Sequence, residues 1–265
     1  MKKTLPIYKI EGDLPFYVDV DLGLLRSVHD PEHFIEFGDM INKGTHYEID
    51  INLKTGIADL YGDGGRGLVT AKIPPMVQLD PEGMATKYNM KVADLPVYDH
   101  ELKMDPVWYN NRKLGALPTM KILGQLYFVN VRLGQLEPKN LWFNPIRLEQ
   151  FRKDPTNTFY YGMLDKKSMA LIGYDEGQIL SIPKGAVLIR VPHERVLDPF
   201  IHLRYMGWED HPERIGKFPV RYNMEAMELD WNQTPIPRLI EENRRKLEQK
   251  TGVLKKPRKG KGMGR

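Results

Sequence analysis

The sequence predicts an α+β protein: two tandem copies of a small strand-rich domain with one or two helices each, then a C-terminal helix and a disordered basic tail. Three observations predict this architecture. A segment of roughly 110 residues recurs, short runs alternate apolar with polar residues as strands do, and Asp-Pro pairs precede helical stretches. With 265 residues, 41% of them hydrophobic, the chain is long enough to bury a core.

The recurrence is clearest where each copy begins. Residues 5–25, with Pro15 skipped, align with residues 117–136, and eleven of the twenty aligned positions are identical. Further along, residues 79–81 and 197–199 both read Leu-Asp-Pro. Solenoid repeats are only about 20–50 residues long. We therefore predict domain copies at 1–114 and 115–252, packed against each other, and a tail at 253–265.

The elements of copy one follow from local patterns. Residues 7–12, 16–21 and 46–52 alternate as half-buried strands do, and residues 68–79 form another β-type run. The Asp-Pro pairs at 30–31, 80–81, 105–106, 154–155 and 198–199 predict helix starts or turns, because Asp accepts from free N–H groups and Pro tolerates the first helical position.

The final helix is predicted from an apolar stripe and two charged pairs. Pro235 and Pro237 stand at its start, and Gly252 is a natural stop. The stripe consists of Ile236, Leu239, Ile240 and Leu247. Residues 106–114 resemble part of this segment and predict a shorter helix at the end of copy one.

Composition excludes several classes of protein and site. The chain has no cysteine, which excludes disulfides, thiolate metal sites and cysteine nucleophiles. The chain contains no run of about 18 apolar residues, so no membrane span is predicted. A signal peptide requires an apolar segment after its basic start, and none follows Lys2 and Lys3. We expect a cytoplasmic protein without a membrane partner.

The basic tail carries the excess charge. Six of the 39 basic residues and none of the 35 acidic ones lie in residues 255–265, so the rest of the chain holds 33 basic and 35 acidic residues. Such a segment could neutralise DNA or RNA phosphates, whereas the alternative is a solubilising tail. The candidate nucleic-acid-binding residues are Lys255, Lys256, Arg258, Lys259, Lys261 and Arg265.

His46, Glu48 and Asp50 are the candidate metal ligands. At alternate positions of a strand they point to one face, and an imidazole with two carboxylates could hold a divalent metal. The alternative is the solvated face of an amphipathic strand, which polar alternation favours. Copy two does not share the set, because it places Phe159, Tyr161 and Met163 there.

Other chemical signals are incomplete, and the cofactor is unknown. The glycine-rich residues 61–67 lack the ending of a phosphate-binding loop and predict a hairpin tip. His193 precedes Asp198 without a serine nucleophile. Asp19 and Asp21 share a strand face, and Arg132 in copy two suggests that this face points outward. The four tryptophans are expected in cores or seams.

A resemblance joins several of these segments. Leu-Pro at 5–6 and 117–118, Val-Asp-Val at 18–20, residues 79–85, Leu-Asp-Pro at 197–199 and the basic tail together resemble an uncharacterised family of duplicated-domain proteins found on bacterial conjugative and other mobile elements. The resemblance implies a cytoplasmic bacterial setting near DNA-handling machinery. It implies no activity and no site residues.

These observations favour a non-enzymatic cytoplasmic binding or accessory protein, with a protein partner and nucleic-acid contact through its tail. One alternative is a protein–protein interaction module of a transfer or virion-like assembly. Another is a metal-dependent enzyme that uses His46, Glu48 and Asp50. Whether the chain is an enzyme stays open, although no complete catalytic signature appears.

Overall fold

The structure, a computed structural model, describes residues 5–254 except 12, 31, 61, 63–65, 155–156 and 216, without side chains from 250 onward. It contains both strands and helices, so the predicted α+β class is confirmed. The strands are β1 (Ile7–Ile10), β2 (Leu14–Asp19), β3 (Leu24–Ser27), β4 (Phe34–Glu36), β5 (Ile41–Asn42), β6 (Tyr47–Asn52), β7 (Leu68–Ile73), β8 (Thr119–Ile122), β9 (Gln125–Asn130), β10 (Gln135–Pro138), β11 (Ile146–Arg147), β12 (Arg152–Lys153), β13 (Phe159–Asp165), β14 (Ala186–Pro192), β15 (Met224–Glu225) and β16 (Met227–Leu229). The helices are α1 (Met76–Leu79), α2 (Pro81–Tyr88), α3 (Pro106–Lys113), α4 (Glu194–Leu197), α5 (Pro199–Tyr205) and α6 (Ile236–Leu254).

Four sheets carry the fold. In the first half β1-β2-β3-β4 and β5-β6-β7 are antiparallel meanders. In the second half the order β8-β9-β10-β11 is extended by β15, which pairs with β8 in parallel, and β12-β13-β14 is extended by β16. From β1 to α2 and from β8 to α5 the chain thus passes through the same succession of strands and helices.

Three large apolar clusters hold these layers together. One lies within the first half, around Phe16 and Ile51, and a second lies within the second half, around Tyr127 and Val191. The third joins the halves: Leu24 of β3 packs with β13, β14 and the start of α6. The predicted packing between the two halves therefore has its own buried apolar surface.

Several predicted elements end in different places. The strands predicted at residues 7–12 and 16–21 end at Ile10 and Asp19. The β-type run at 68–79 stops at Ile73, and Met76–Leu79 is helix α1. Pro74 and Pro75 explain the change, because proline cannot donate to a strand ladder but suits a helix start. Helix α6 continues beyond Gly252 to Leu254.

The predicted helix starts agree with the structure where both residues are described. Asp80, Asp105 and Asp198 precede α2, α3 and α5, each with proline at the first helical position. Pro31 and Pro155 of the other two pairs lie outside the described residues. In the part of the chain that is described, no helix is long and apolar enough to cross a membrane.

Candidate functional site

A cleft of about 820 Å³ opens where the first half meets residues 210–217 of the second half. We call it the seam cleft. Its first-half wall comes from residues 37–47, from α1 and α2, and from residues 99–113. It is lined by Phe37, Gly38, Asn42, Tyr47, Met76, Met84, Lys87, Tyr88, Asp99, His100, Leu102, Lys103, Met104, Pro106, Tyr109, Asn110, Lys113, Asp210, Pro212, Glu213 and Lys217.

Apolar side chains form the floor of the seam cleft. Met76 and Met84 are buried in the first-half core and also face the cleft, and so do Phe37 and Tyr88. Phe37 meets Tyr47 edge to face, with ring centroids 5.0 Å apart. Methionine and aromatic side chains together give an adaptable surface for flat apolar groups.

Asp99 at the cleft wall fulfils a structural role. Its carboxylate accepts hydrogen bonds from the backbone N–H groups of Met76 (2.8 Å) and Val77 (3.0 Å) at the start of α1. It also accepts one from the hydroxyl of Tyr47 at 3.0 Å. Burial, and then the Asp99 carboxylate, raise the pKa of Tyr47. Asp99 therefore has little remaining capacity for a ligand.

Lys87 of α2 is a buried cation beside the cleft. Its side chain is 1% exposed, and its Nζ donates a hydrogen bond to the carbonyl oxygen of Val20 at 2.6 Å. The same atom lies 5.1 Å from the ring centre of Phe218. Burial lowers the pKa of Lys87 to about 7; Asp21 opposes this shift and Arg221 adds to it. Near neutral pH both charge states of Lys87 are therefore populated.

Three further lysines stand at the mouth of the cleft. Lys113 forms an ion pair with Asp210. Lys217 lies 3.7 Å from Glu36, in a pair that is more than a third exposed on both sides. Among the described residues, Lys103 takes part in no hydrogen bond or ion pair. The positive charge at the mouth is thus only partly neutralised.

Buried ion pairs cross the seam behind the cleft. Asp19 is fully buried and pairs with Arg190 of β14, and Asp21 pairs with Arg221. The expectation that this strand face points outward is therefore wrong. Arg132, which suggested it, is exposed in the second half, whereas Asp19 and Asp21 lie where the halves meet.

A further buried pair ties α3 to the residue that precedes α5. Arg112 donates to the carboxylate of Asp198 at 3.1, 3.0 and 2.8 Å, in a bidentate arrangement. Asp198 is thereby occupied by Arg112, while His193 stacks on Tyr160 with ring centres 5.6 Å apart. Burial lowers the pKa of His193. The structure does not arrange His193 and Asp198 as a catalytic pair.

Of the candidate metal ligands, Glu48 and Asp50 lie on the side of β6 opposite the buried Ile49 and Ile51, whereas His46 lies in the bend just before the strand. His46 Nε2 is 3.0 Å from Glu48, and Lys43 Nζ is 3.3 Å from the same carboxylate. Asp50 instead accepts a hydrogen bond from Thr70 of β7. Among the described residues no group of three or more His, Asp or Glu side chains is placed to hold a metal ion. The geometry gives the metal hypothesis no support.

In the second half, β13 takes the place of β6, and the face of β13 that corresponds to the open face of β6 is buried. Phe159, Tyr161 and Met163 of β13 are buried in the cluster that joins the halves, together with Ile236 and Ile240 of α6. The copies therefore differ chemically at this position because α6 packs on β13, whereas Asp50 of β6 is exposed.

Two predicted features lie partly or wholly outside the described residues. In the glycine-rich loop at residues 61–67, only Gly62, Arg66 and Gly67 are described. All of the tail candidates are undescribed: Lys255, Lys256, Arg258, Lys259, Lys261 and Arg265.

Sequence reasoning missed Lys87 and Lys217. A lysine in the last turn of a helix is ordinarily interpreted as a favourable interaction with the helix dipole. The one available signal is that Lys87 lies between Met84 and Tyr88, on the apolar side of α2.

Comparisons of the chain with protein-family models, curated proteins and solved structures found no match.

Proposed function

We propose that this chain is a binding protein whose seam cleft holds a small organic anion with an apolar body. The observation that carries the proposal is the combination, in one cleft, of an apolar floor and lysines at the mouth. Clefts of about 300–1,000 Å³ with mostly apolar walls and a few polar groups are typical of small-molecule sites. The seam cleft, at about 820 Å³, lies within that range.

The charges at the cleft favour an anion. Asp99 is occupied by the start of α1, and Asp210 is paired with Lys113. Lys103 and Lys217 retain donors that can face a ligand, because an ammonium group has three N–H bonds. A carboxylate, sulfonate or phosphate would thus find cations at the mouth while its apolar part lies on the methionine and aromatic floor.

A fluorescent aromatic sulfonate, anilinonaphthalenesulfonate, tests this proposal. We expect saturable binding to the wild type and loss of that binding in Gly38→Trp, which fills the cleft. A Cβ at Gly38 would meet only the Nζ of Lys217, at 2.9 Å, and that flexible side chain can move. Gly173→Trp is the matched control, because Gly173 lies outside the cleft with open space around it. Circular dichroism checks that both variants remain folded.

Charge reversal tests the anionic part separately. Lys103→Glu combined with Lys217→Glu should weaken sulfonate binding by about tenfold or more, which corresponds to at least 1.4 kcal/mol. Lys184→Glu, an exposed change away from the cleft, should have little effect. Equal binding by Gly38→Trp and Gly173→Trp would show that the probe binds elsewhere and would remove the proposal.

A second candidate function is nucleic-acid contact through the tail, in a cytoplasmic setting. It is supported by the concentration of six basic residues within residues 255–265. Each phosphate neutralised gives a slope of about −0.9 in the logarithm of affinity against the logarithm of salt concentration on duplex DNA. Removal of residues 253–265 should reduce this slope and the affinity. Unchanged or undetectable binding would contradict the nucleic-acid proposal.

We also infer that the two halves derive from one duplicated domain. The same succession of strands and helices in β1–α2 and β8–α5 supports this inference, as do the eleven identities among twenty aligned positions.

Two expectations from the sequence stay proposals. One is the resemblance to mobile-element proteins, and the other is a partner in a transfer or virion-like assembly. Affinity capture followed by nuclease treatment tests the latter, because a protein partner should survive the treatment.

A further inference from the structure

The loop that joins β10 to β11 presents two large apolar side chains to solvent. Leu141 is 93% exposed and Trp142 is 92% exposed, the highest values among the large apolar residues described. The expectation that the tryptophans fill cores or seams is wrong for Trp142. Tryptophan is enriched among the residues that contribute most to binding at protein interfaces.

This loop has a defined conformation. The side-chain oxygen of Asn140 accepts a hydrogen bond from the N–H of Trp142 at 3.2 Å, and its carbonyl accepts one from Phe143 at 3.2 Å. Lys139 N–H donates to the carbonyl of Leu126 at 2.9 Å, and Phe143 packs against the second-half core. The apolar tip is therefore preorganised, which reduces the entropy lost on binding.

The corresponding loop of the first half has a different character. Between β3 and β4 the chain reads Val-His-Asp-Pro-Glu-His at residues 28–33. The fold thus does not require Leu141 and Trp142 at this connection, because a polar loop joins the equivalent strands.

A groove of about 550 Å³ with both apolar and polar lining residues lies beside the tip. Its apolar part consists of Leu123, Phe143, Met169, Ala226 and Met227. Because Phe143 follows Trp142 directly in the chain, the tip and the groove are neighbours on one face. Met side chains adapt to an inserted aromatic ring.

Charges on this face are complementary. Lys139 is exposed on the tip loop, and the groove is lined by Glu225, Glu228 and Lys166, two carboxylates against one cation. Among the described residues none of these four side chains forms an ion pair. A cation beside the tip and two carboxylates in the groove would thus be brought together if a tip entered such a groove.

We propose that this face pairs with the same face of a second copy of the chain, each Trp142 ring entering the other copy's groove. A twofold interface must be self-complementary, and this face carries both a projection and a cavity with opposite charges. The site is separate from the seam cleft, so the inference does not depend on the proposed ligand. Because the apolar contact is confined to one loop and one groove, the dimer should dissociate on dilution.

Sedimentation velocity over a range of protein concentrations tests the pairing. The wild type should move from 30.8 kDa towards twice that mass as concentration rises. Trp142→Ala should stay at the monomer mass. Leu133→Ala is the matched control, because Leu133 is also exposed but lies at the opposite end of β10 and should leave the dimer intact.

Charge exchange identifies the surfaces that meet. Lys139→Glu should weaken association, and adding Glu225→Lys with Glu228→Lys should restore it. A wild type that stays monomeric at every concentration would overturn the proposal, and so would a dimer that Trp142→Ala does not affect. Phosphatidylcholine vesicles are mixed with the protein in parallel. Binding to them by a protein that stays monomeric would assign the tip to a lipid surface instead and would also overturn the pairing.

Discussion

Lys87 shows how burial sets the chemistry of one side chain. Its ammonium group donates a hydrogen bond to the carbonyl of Val20 and lies beside the ring of Phe218 rather than in water. Transfer of a charge from water to such surroundings is unfavourable, which is why the pKa of Lys87 falls to about 7. The charge of Lys87 should therefore change near neutral pH.

This shift predicts a pH dependence of stability. Below the folded-state pKa of about 7 both states are protonated, and the cost of burying the charge is fully present. At pH values between this folded-state pKa and the unfolded-state pKa of about 10.4, Lys87 is protonated in the unfolded chain but not in the folded chain. The free energy of unfolding should thus rise with pH, by at most about 1.4 kcal/mol per pH unit.

Urea unfolding of the wild type and Lys87→Met at several pH values measures this effect. The methionine variant lacks the titration, so the difference in free energy of unfolding between the two proteins should change steadily across the window. Lys103→Met, an exposed change at the same cleft, should follow the wild-type profile. Parallel profiles for wild type and Lys87→Met would contradict the assigned shift.

At the scale of elements, α2 depends on a close contact at its first turn. The side chain of Asp80 accepts a hydrogen bond from the N–H of Gly83 at 2.9 Å and caps the helix. A Cβ at position 83 would lie 2.6 Å from Asp80 Cγ and 2.8 Å from Val20 Cγ2. Glycine is therefore required here by the cap and by the packing of α2 on the residues after β2.

Gly83→Ala should consequently destabilise the protein. In an open helix the same change adds about 1 kcal/mol of stability, but here loss of the cap and overpacking should cost about 1–3 kcal/mol. Thermal or urea unfolding gives the value. Thr86→Ala on the exposed side of the same helix is the control and should be neutral or slightly stabilising. A stabilised Gly83→Ala would refute the close contact.

At the scale of the whole molecule, the two halves are joined by buried charges as well as by apolar packing. Asp19 and Arg190 lie 171 residues apart in the chain and pair in the interior. Removing one partner of such a pair leaves an uncompensated buried charge, whereas removing both does not. Substitution of a single partner of this pair should therefore lower the stability of the protein.

Arg190→Met should lower the free energy of unfolding by about 3–5 kcal/mol, because Asp19 would stay buried without its partner. Adding Asp19→Asn should recover a large part of that loss in denaturant unfolding. Arg238→Ala breaks an exposed pair with Glu242 and should change stability by no more than about 0.5 kcal/mol. Additive effects of Arg190→Met and Asp19→Asn would mean that the pair is not coupled.

The sequence by itself determined the α+β class, most strand positions, the starts of α2, α3 and α5, and the final helix. These features follow from local rules: alternation along a strand, an aspartate before a proline, and an apolar stripe along a helix. Such rules act over a few residues, so they are visible in the chain without knowledge of its neighbours.

Only the tertiary structure decided which of those residues could form a site. Asp19 is buried because the second half covers it, and Lys87 lies in the interior beside Phe218, far along the chain. Trp142 is 92% exposed because no element of the described chain packs over its loop, a fact that its apolar character cannot show. Burial and pairing depend on contacts between distant segments, and one sequence does not specify those contacts by local pattern.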